Sequence, residues 1–178
     1  MIIALAGRRV DAIDATQSKF PLQNVDRVSR AVRALFELHQ VTAVVSSAAC
    51  GADLIGLAEA GKLGLRRRIV LPFDRAKFRE TSVIDRPGDW AALYDKILDE
   101  VESRNDLTVV NTATHAEPYS MVNGVILADA VSLGREEGEP VNAALVWDGI
   151  SRGKQDFTDE LGVEARKLGL AVLEVLTI

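Results

Sequence analysis

Short apolar runs alternate with segments of helical period from one end of the chain to the other. That alternation predicts a parallel β-sheet joined by crossover helices. Ile2–Ala6 reads as the first strand, and Val25, Val28, Val32, Leu35 and Phe36 then fall on one face of a helix that Asn24 can cap. Thr42–Val45 reads as the second strand, leading through Ser46–Gly51 into a helix over Ala52–Ala60 that Gly61 can end. Ile69–Leu71, closed by Pro72, is the third strand. Asp89 can cap a helix that turns Trp90, Leu93, Tyr94, Ile97, Leu98 and Val101 inward. Leu107–Val110 is the fourth strand, and Pro118 suits the first turn of a nearly all-apolar helix reaching Leu133. Val141–Trp147 is the fifth strand, Thr158 can cap a last helix ended by Gly169, and Ala171–Val175 is the sixth strand.

Neither a repeat nor a linker interrupts this series. It predicts a single α/β domain over residues 1–178, with a parallel sheet of five or six strands and helices on both faces. Two irregular stretches, Val10–Gln23 and Phe73–Gly88, are long enough to suggest function beyond connection. The helix at 121–133 has almost no polar face, so something must cover its outer side: a second copy of the chain, giving a homodimer, or the chain's own last helix.

Composition narrows the class. A chain of 178 residues, 48% hydrophobic with 5 Pro, is a folded globular protein of one-domain size, not a disordered or low-complexity one. Its net charge of −5 gives a nucleic-acid or anionic-membrane partner no bulk electrostatic support. One cysteine and two histidines leave no disulfide and no Cys-rich metal site, which fits a reducing, cytoplasmic setting. Met1–Gly7 lacks the charged leader of a signal peptide, and no uninterrupted apolar run reaches the about 18 to 20 residues of a membrane helix.

In an open parallel sheet, ligands bind beyond the carboxyl ends of the strands, where helix N-termini present N–H groups and a positive dipole end. The strands deliver there Gly7, Arg8 and Arg9; the small-residue segment Ser46–Asp53, including Ser47, Ala49, Gly51, Ala52 and Asp53; Asp74 and Arg75; Asn111–Glu117, including Thr112; and Asp148 with Gly149. Small side chains before a helix let a phosphate approach the backbone, although Ser46–Asp53 has neither the Lys-Ser/Thr of a P-loop nor the glycine spacing of a dinucleotide turn. Arg8 and Arg9 have the guanidinium geometry that suits phosphate. Arg66, Arg67 and Arg68 precede the third strand on the opposite edge and read as a solvated face. Cys50 reads as a packed small hydrophobe. Glu117 and Asp148 are the carboxylates placed to act as general acid or base, yet neither histidine sits by a nucleophile elbow and no motif requires a cofactor or a metal.

The segments Leu5–Arg9, Ser46–Leu54, Leu71–Asp74 with Phe78 and Ser82-Val83, and Val146–Gly149 together resemble a bacterial branch of the SLOG superfamily. That group joins the lysine-decarboxylase-like phosphoribohydrolases to the Smf DNA-processing proteins and to nucleotide-sensing domains. The resemblance implies a Rossmann-like domain that binds a nucleotide or nucleotide-derived ligand over the strand ends. Gly7 and Arg8 would touch the ligand, and Ser47, Ala49, Gly51 and Ala52 would cradle its phosphate. At the fourth strand the phosphoribohydrolases carry Pro-Gly-Gly-x-Gly-Thr-x-x-Glu, whereas this chain has Asn-Thr-Ala-Thr-His-Ala-Glu over 111–117. The expectation is therefore a binding or sensing module, with a phosphoribohydrolase-like nucleotide hydrolase as the alternative.

Overall fold

The computed structural model describes residues 1–110 and 118–178. Six strands form one sheet in the order β4-β3-β2-β1-β5-β6, with every neighbouring pair parallel. Along the chain these are β1 (Ile2–Gly7), α1 (Val25–Leu38), β2 (Ala43–Ser46), α2 (Ala52–Lys62), β3 (Arg66–Leu71), α3 (Arg75–Ser82), α4 (Ala91–Glu102), β4 (Leu107–Val109), α5 (Pro118–Glu137), β5 (Val141–Trp147), α6 (Phe157–Lys167) and β6 (Val172–Leu176). From β1 the chain builds outward through β2 and β3 to β4, then returns to lay β5 on the other side of β1. The strand order reverses between β1 and β5, and at such a point the crossovers part and leave a crevice at the carboxyl edge.

The strands are apolar on both faces because both faces are covered. Ile3, Leu5, Val44, Ile69, Leu71, Ala144 and Val146 belong to a core shared with α1, α2, α3 and α4. Their neighbours Ile2, Ala4, Ala43, Val45, Val70, Ala143 and Leu145 belong to a second core under α5 and α6. This is the two-residue period of a strand sorted into two layers. In α5, Val122, Ile126, Leu127, Ala130 and Leu133 are buried in that second core, while Gly124, Ala128 and Ser132 lie on the exposed side. The helix looks apolar all round because its outward positions are small, not because they are bulky. The sheet and α6 cover its large side chains within one chain, and Val125 is half-buried against the same core.

Several local expectations need correction. The stretch Phe73–Gly88 contains α3, capped by Asp74, whose carboxylate accepts from the Lys77 N–H at 3.0 Å. Asn24 makes no cap bond; its amide donates instead to the Thr177 carbonyl at 2.9 Å and ties the start of α1 to the chain's end. Trp90, not Asp89, stands at the N-cap of α4, and Asp156, not Thr158, caps α6 by accepting from the Asp159 N–H. Arg66, Arg67 and Arg68 are the first half of β3 and are not a solvated face. They pair with Asp106, Glu100 and Asp129 respectively, and Arg67 is buried in space left by Gly61, where a Cβ would stand 2.7 Å from its guanidinium.

Candidate functional site

A cavity of about 460 Å³ opens at the carboxyl edge of the sheet, above the reversal point. Its floor is the end of β1, Leu5–Gly7. One wall is the loop that follows, from Arg8 to Lys19. Ser47, Ala49 and Asp53 at the start of α2 form a second wall with Phe78, Ser82 and Arg86, and the starts of α5 and α6 supply the remainder. Tyr119 and Phe157 pack with ring centres 5.2 Å apart on that last side, so the cavity has one aromatic flank and one arginine-bearing flank.

The β1 loop is held by its glycine neighbours. Gly7 lies so close to α2 that a Cβ there would meet the Ala52 Cβ at 2.3 Å and the Val146 carbonyl at 2.4 Å. Gly51, at φ 95°, packs on the loop backbone, and its Cβ would stand 2.7 Å from the Arg8 carbonyl. In that close fit the Ala52 N–H donates to the Arg8 carbonyl, Cys50 N–H to the Ser82 carbonyl, and Leu54 N–H to the Ala49 carbonyl. The Ala49 N–H donates to Asp53 Oδ2 at 3.2 Å. These four N–H groups are committed to protein acceptors, so this part of the turn before α2 ties neighbouring loops together.

Arg8 is also fully engaged. Only 2% exposed, it donates from Nε to Asp148 Oδ1 at 2.7 Å, from Nη1 and Nη2 to both Asp156 oxygens at 2.5 and 2.9 Å, and from Nη2 to the Ile150 carbonyl at 2.7 Å. Its guanidinium lies 5.5 Å from the centre of the Trp147 ring. Burial by itself would raise the Asp156 and Asp148 carboxyls, but the bonds and charge of Arg8, joined by backbone N–H groups at both and by Lys19 at Asp148, together outweigh it and hold both below the ordinary carboxylate range. The cluster clamps the ends of β1 and β5 to the cap of α6.

The next residue differs. Arg9 donates to the Thr81 carbonyl at 3.2 Å and to Asp85, which it shares with Arg86, whose Nε is 3.6 Å from the same carboxylate. Among the described residues, three buried side-chain polar atoms lack a hydrogen-bond partner: Arg9 Nε, Arg86 Nε and Asp53 Oδ1. All three belong to residues lining this cavity. Burial pushes the Asp53 carboxyl up to about 7, against the opposing pull of the Ala49 and Gly7 N–H groups and the Arg9 charge. Cys50, buried next door, has its thiol pushed up to about 12 by burial and is chemically quiet.

No family model matches the chain, and no curated protein matches it. Among solved structures it is similar to DNA processing protein A from Streptococcus pneumoniae, with a TM-score of 0.42 at 13% identity, covering 97% of this chain and 57% of that one. The chain thus spans little more than half the length of that protein, and a likeness so distant carries no argument about the site.

Of the residues expected at the site, Gly7, Arg8, Arg9, Ser47, Ala49 and Asp53 line the cavity. Gly51 and Ala52 stand behind the lining as packing elements, and Gly149 is outside it. Asp148 is not on the lining and is bound to Arg8 and, at 3.5 Å, to Lys19. Arg75 points away to Asp99 and Glu102 on α4. Thr112 and Glu117 lie outside the described residues. The sequence reading omitted Lys19, Arg86, Arg152, Tyr119 and Phe157 as site residues. The two irregular stretches pointed to Lys19 and Arg86, and following the fifth strand's end onward to α6 would have reached Arg152 and Phe157. Among the described residues, no group of three or more His, Cys, Asp or Glu could hold a metal ion, and no helix is long and apolar enough to cross a membrane.

Proposed function

We propose that the chain binds a nucleotide or nucleotide-derived phosphorylated ligand in this cavity, as a binding or sensing module. The observation that carries the reading is the convergence of five cations, Arg8, Arg9, Lys19, Arg86 and Arg152, on one cavity of an acidic chain. Arg9 and Arg86 share the one carboxylate of Asp85, and Arg8, Lys19 and Arg152 share the two of Asp148 and Asp156. Each group holds one cation beyond those carboxylates, and the acids on the lining itself are Asp11 and Asp53, in a chain that carries −5 overall. A ligand anion is the complement of such a rim. The aromatic flank of Tyr119 and Phe157 suits a base, and the volume falls within the roughly 300 to 1,000 Å³ of small-molecule sites. The resemblance to the SLOG superfamily implies the same ligand class at the same edge.

The hydrolytic alternative needs a carboxyl able to exchange a proton near neutral pH. Asp148, held ionised by Arg8, does not suit that role, whereas Asp53 does. Mass spectrometry of small molecules released on denaturing the purified protein, followed by calorimetric titration with nucleoside monophosphates, tests the reading. A retained nucleotide or saturable, salt-sensitive binding is expected. Neither being found would overturn the reading, and turnover of the nucleotide on incubation would replace it with the hydrolytic one.

A further inference from the structure

Phosphate binding by the arginines leaves one feature of the cavity unused. Asp53 is an acid at the first turn of α2, 7% exposed, on a lining that also holds Asp11 and five cations. Its Oδ2 accepts from the Ala49 N–H and the Gly7 N–H also draws on the carboxylate, yet among the described residues its Oδ1 has no partner within hydrogen-bond geometry. Native proteins leave few buried polar atoms unmatched, and among the described residues those without a hydrogen-bond partner belong to residues of one cavity: Arg9 Nε, the Oδ1 of Asp53, and Arg86 Nε, which has the Asp85 carboxylate at 3.6 Å. A ligand that satisfies the first two presents an acceptor oxygen to Arg9 and a donor to the aspartate.

The charge of that donor is constrained as well. Arg9 acts electrostatically on Asp53, so a cationic group brought to Oδ1 would be opposed by Arg9, whereas a neutral hydroxyl would not. Position narrows it further. A nucleotide with its phosphate on the arginine flank and its base against Tyr119 and Phe157 has its sugar between them, and the same lining holds the end of β1 and Asp53, on whose carboxylate the Gly7 N–H acts. We infer that Asp53 accepts a hydrogen bond from a sugar hydroxyl of the ligand and makes the site select hydroxylated over deoxygenated sugars. This assignment rests on the nucleotide reading above.

The test is calorimetric titration of the full chain with the four ribonucleoside 5′-monophosphates and their 2′,3′-dideoxy counterparts. It is run on the natural protein, on Asp53→Ala, and on Asp53→Asn, which keeps the side-chain volume and an acceptor for the Ala49 N–H. The natural protein should prefer the ribo form by roughly tenfold, the value of a hydrogen bond whose loss leaves a buried acceptor unmatched, and the preference should collapse in a folded variant. Equal affinity of the natural protein for both sugars, or an undiminished preference in the variants, overturns the role of Asp53 while leaving nucleotide binding in place. A loss confined to bases with an exocyclic amino group, equal for both sugars, also overturns it, because the partner is then the base. No binding of any of these nucleotides overturns the assignment together with the reading beneath it.

Discussion

Arg8 and Arg9 are consecutive, chemically identical and follow the same strand, yet the fold gives them opposite work. Arg8 turns toward the end of β5 and meets two carboxylates and a carbonyl, so every guanidinium nitrogen is occupied and the side chain is 2% exposed. Arg9 turns toward α3, lines the cavity, shares Asp85 with Arg86, and keeps a buried Nε with no hydrogen-bond partner among the described residues. The difference teaches that an arginine at a strand end is structural or ligand-directed according to how many carboxylates the other loops bring to it. Guanidinium chemistry is the same in both cases.

Removing Arg8 should sharpen this contrast most. Arg8→Ala leaves Asp148 and Asp156 buried beside each other with their principal cation gone, and breaking a buried pair in this way costs about 3–5 kcal/mol. Urea unfolding should show that loss, and adding Asp156→Asn to Arg8→Ala should recover part of it. The pair also sets the acid limb. Carboxyls depressed in the folded state contribute stability that is present above their unfolded pKa, about 4, and lost as pH falls through the folded value. The natural protein should therefore lose more stability on acidification than Arg8→Ala does. A mild, pH-independent effect of Arg8→Ala would place Arg8 with Arg9.

Arg9→Ala should do the reverse. Its pair with Asp85 is partly exposed, so stability should change by about 1 kcal/mol or less. Binding of a nucleoside monophosphate should weaken by roughly tenfold or more, the value of a charge-assisted contact of about 1.5–3 kcal/mol. Arg67→Ala, at the other edge of the sheet, removes a buried guanidinium paired with the half-exposed Glu100 and should lower stability without changing affinity in the folded protein. Equal losses of affinity in Arg9→Ala and Arg67→Ala, read by calorimetry, would remove the arginine flank from the site.

These contrasts also mark what the sequence could reveal. The strands were legible because residues such as Val44, Val45, Val70 and Leu71 are apolar on both faces, a pattern that survives without knowledge of partners. The helix α3 was not, since Arg75–Ser82 is mostly polar and buries only Phe78 and Ser82. The strand-end rule found Gly7, Arg9, Ser47, Ala49 and Asp53 on the cavity. It could not separate Arg8 from Arg9, because what distinguishes them is Asp156, far along the chain and hidden in what reads as a loop. Gly51 shows the same limit: its small size serves equally to admit a ligand or the backbone of Arg8, and its close fit to that backbone is visible only in the packed structure.

The smallest effect belongs to Asp53, whose environment opposes the one Arg8 gives Asp148 and Asp156. Burial raises its carboxyl to about 7, whereas in the unfolded chain an aspartate titrates near 4. Between those values the folded state holds a proton that the unfolded state has lost. The stability this group contributes is therefore fully present below about pH 4 and is lost as pH rises through 7. From pH 6 to pH 8 the loss amounts to about 1.4 kcal/mol, the value of one logarithmic unit of protonation. Asp53→Asn has no such proton to lose, so the difference in stability between the natural protein and this variant should shift by that amount across the interval, with the variant favoured at the higher pH. Urea unfolding of both proteins at pH 6, 7 and 8 reads it directly. A difference that stays constant with pH would mean that Asp53 is already ionised at neutrality, stabilised by Arg9 as Asp156 is by Arg8, and the distinction between the two arginines would then lie in exposure alone.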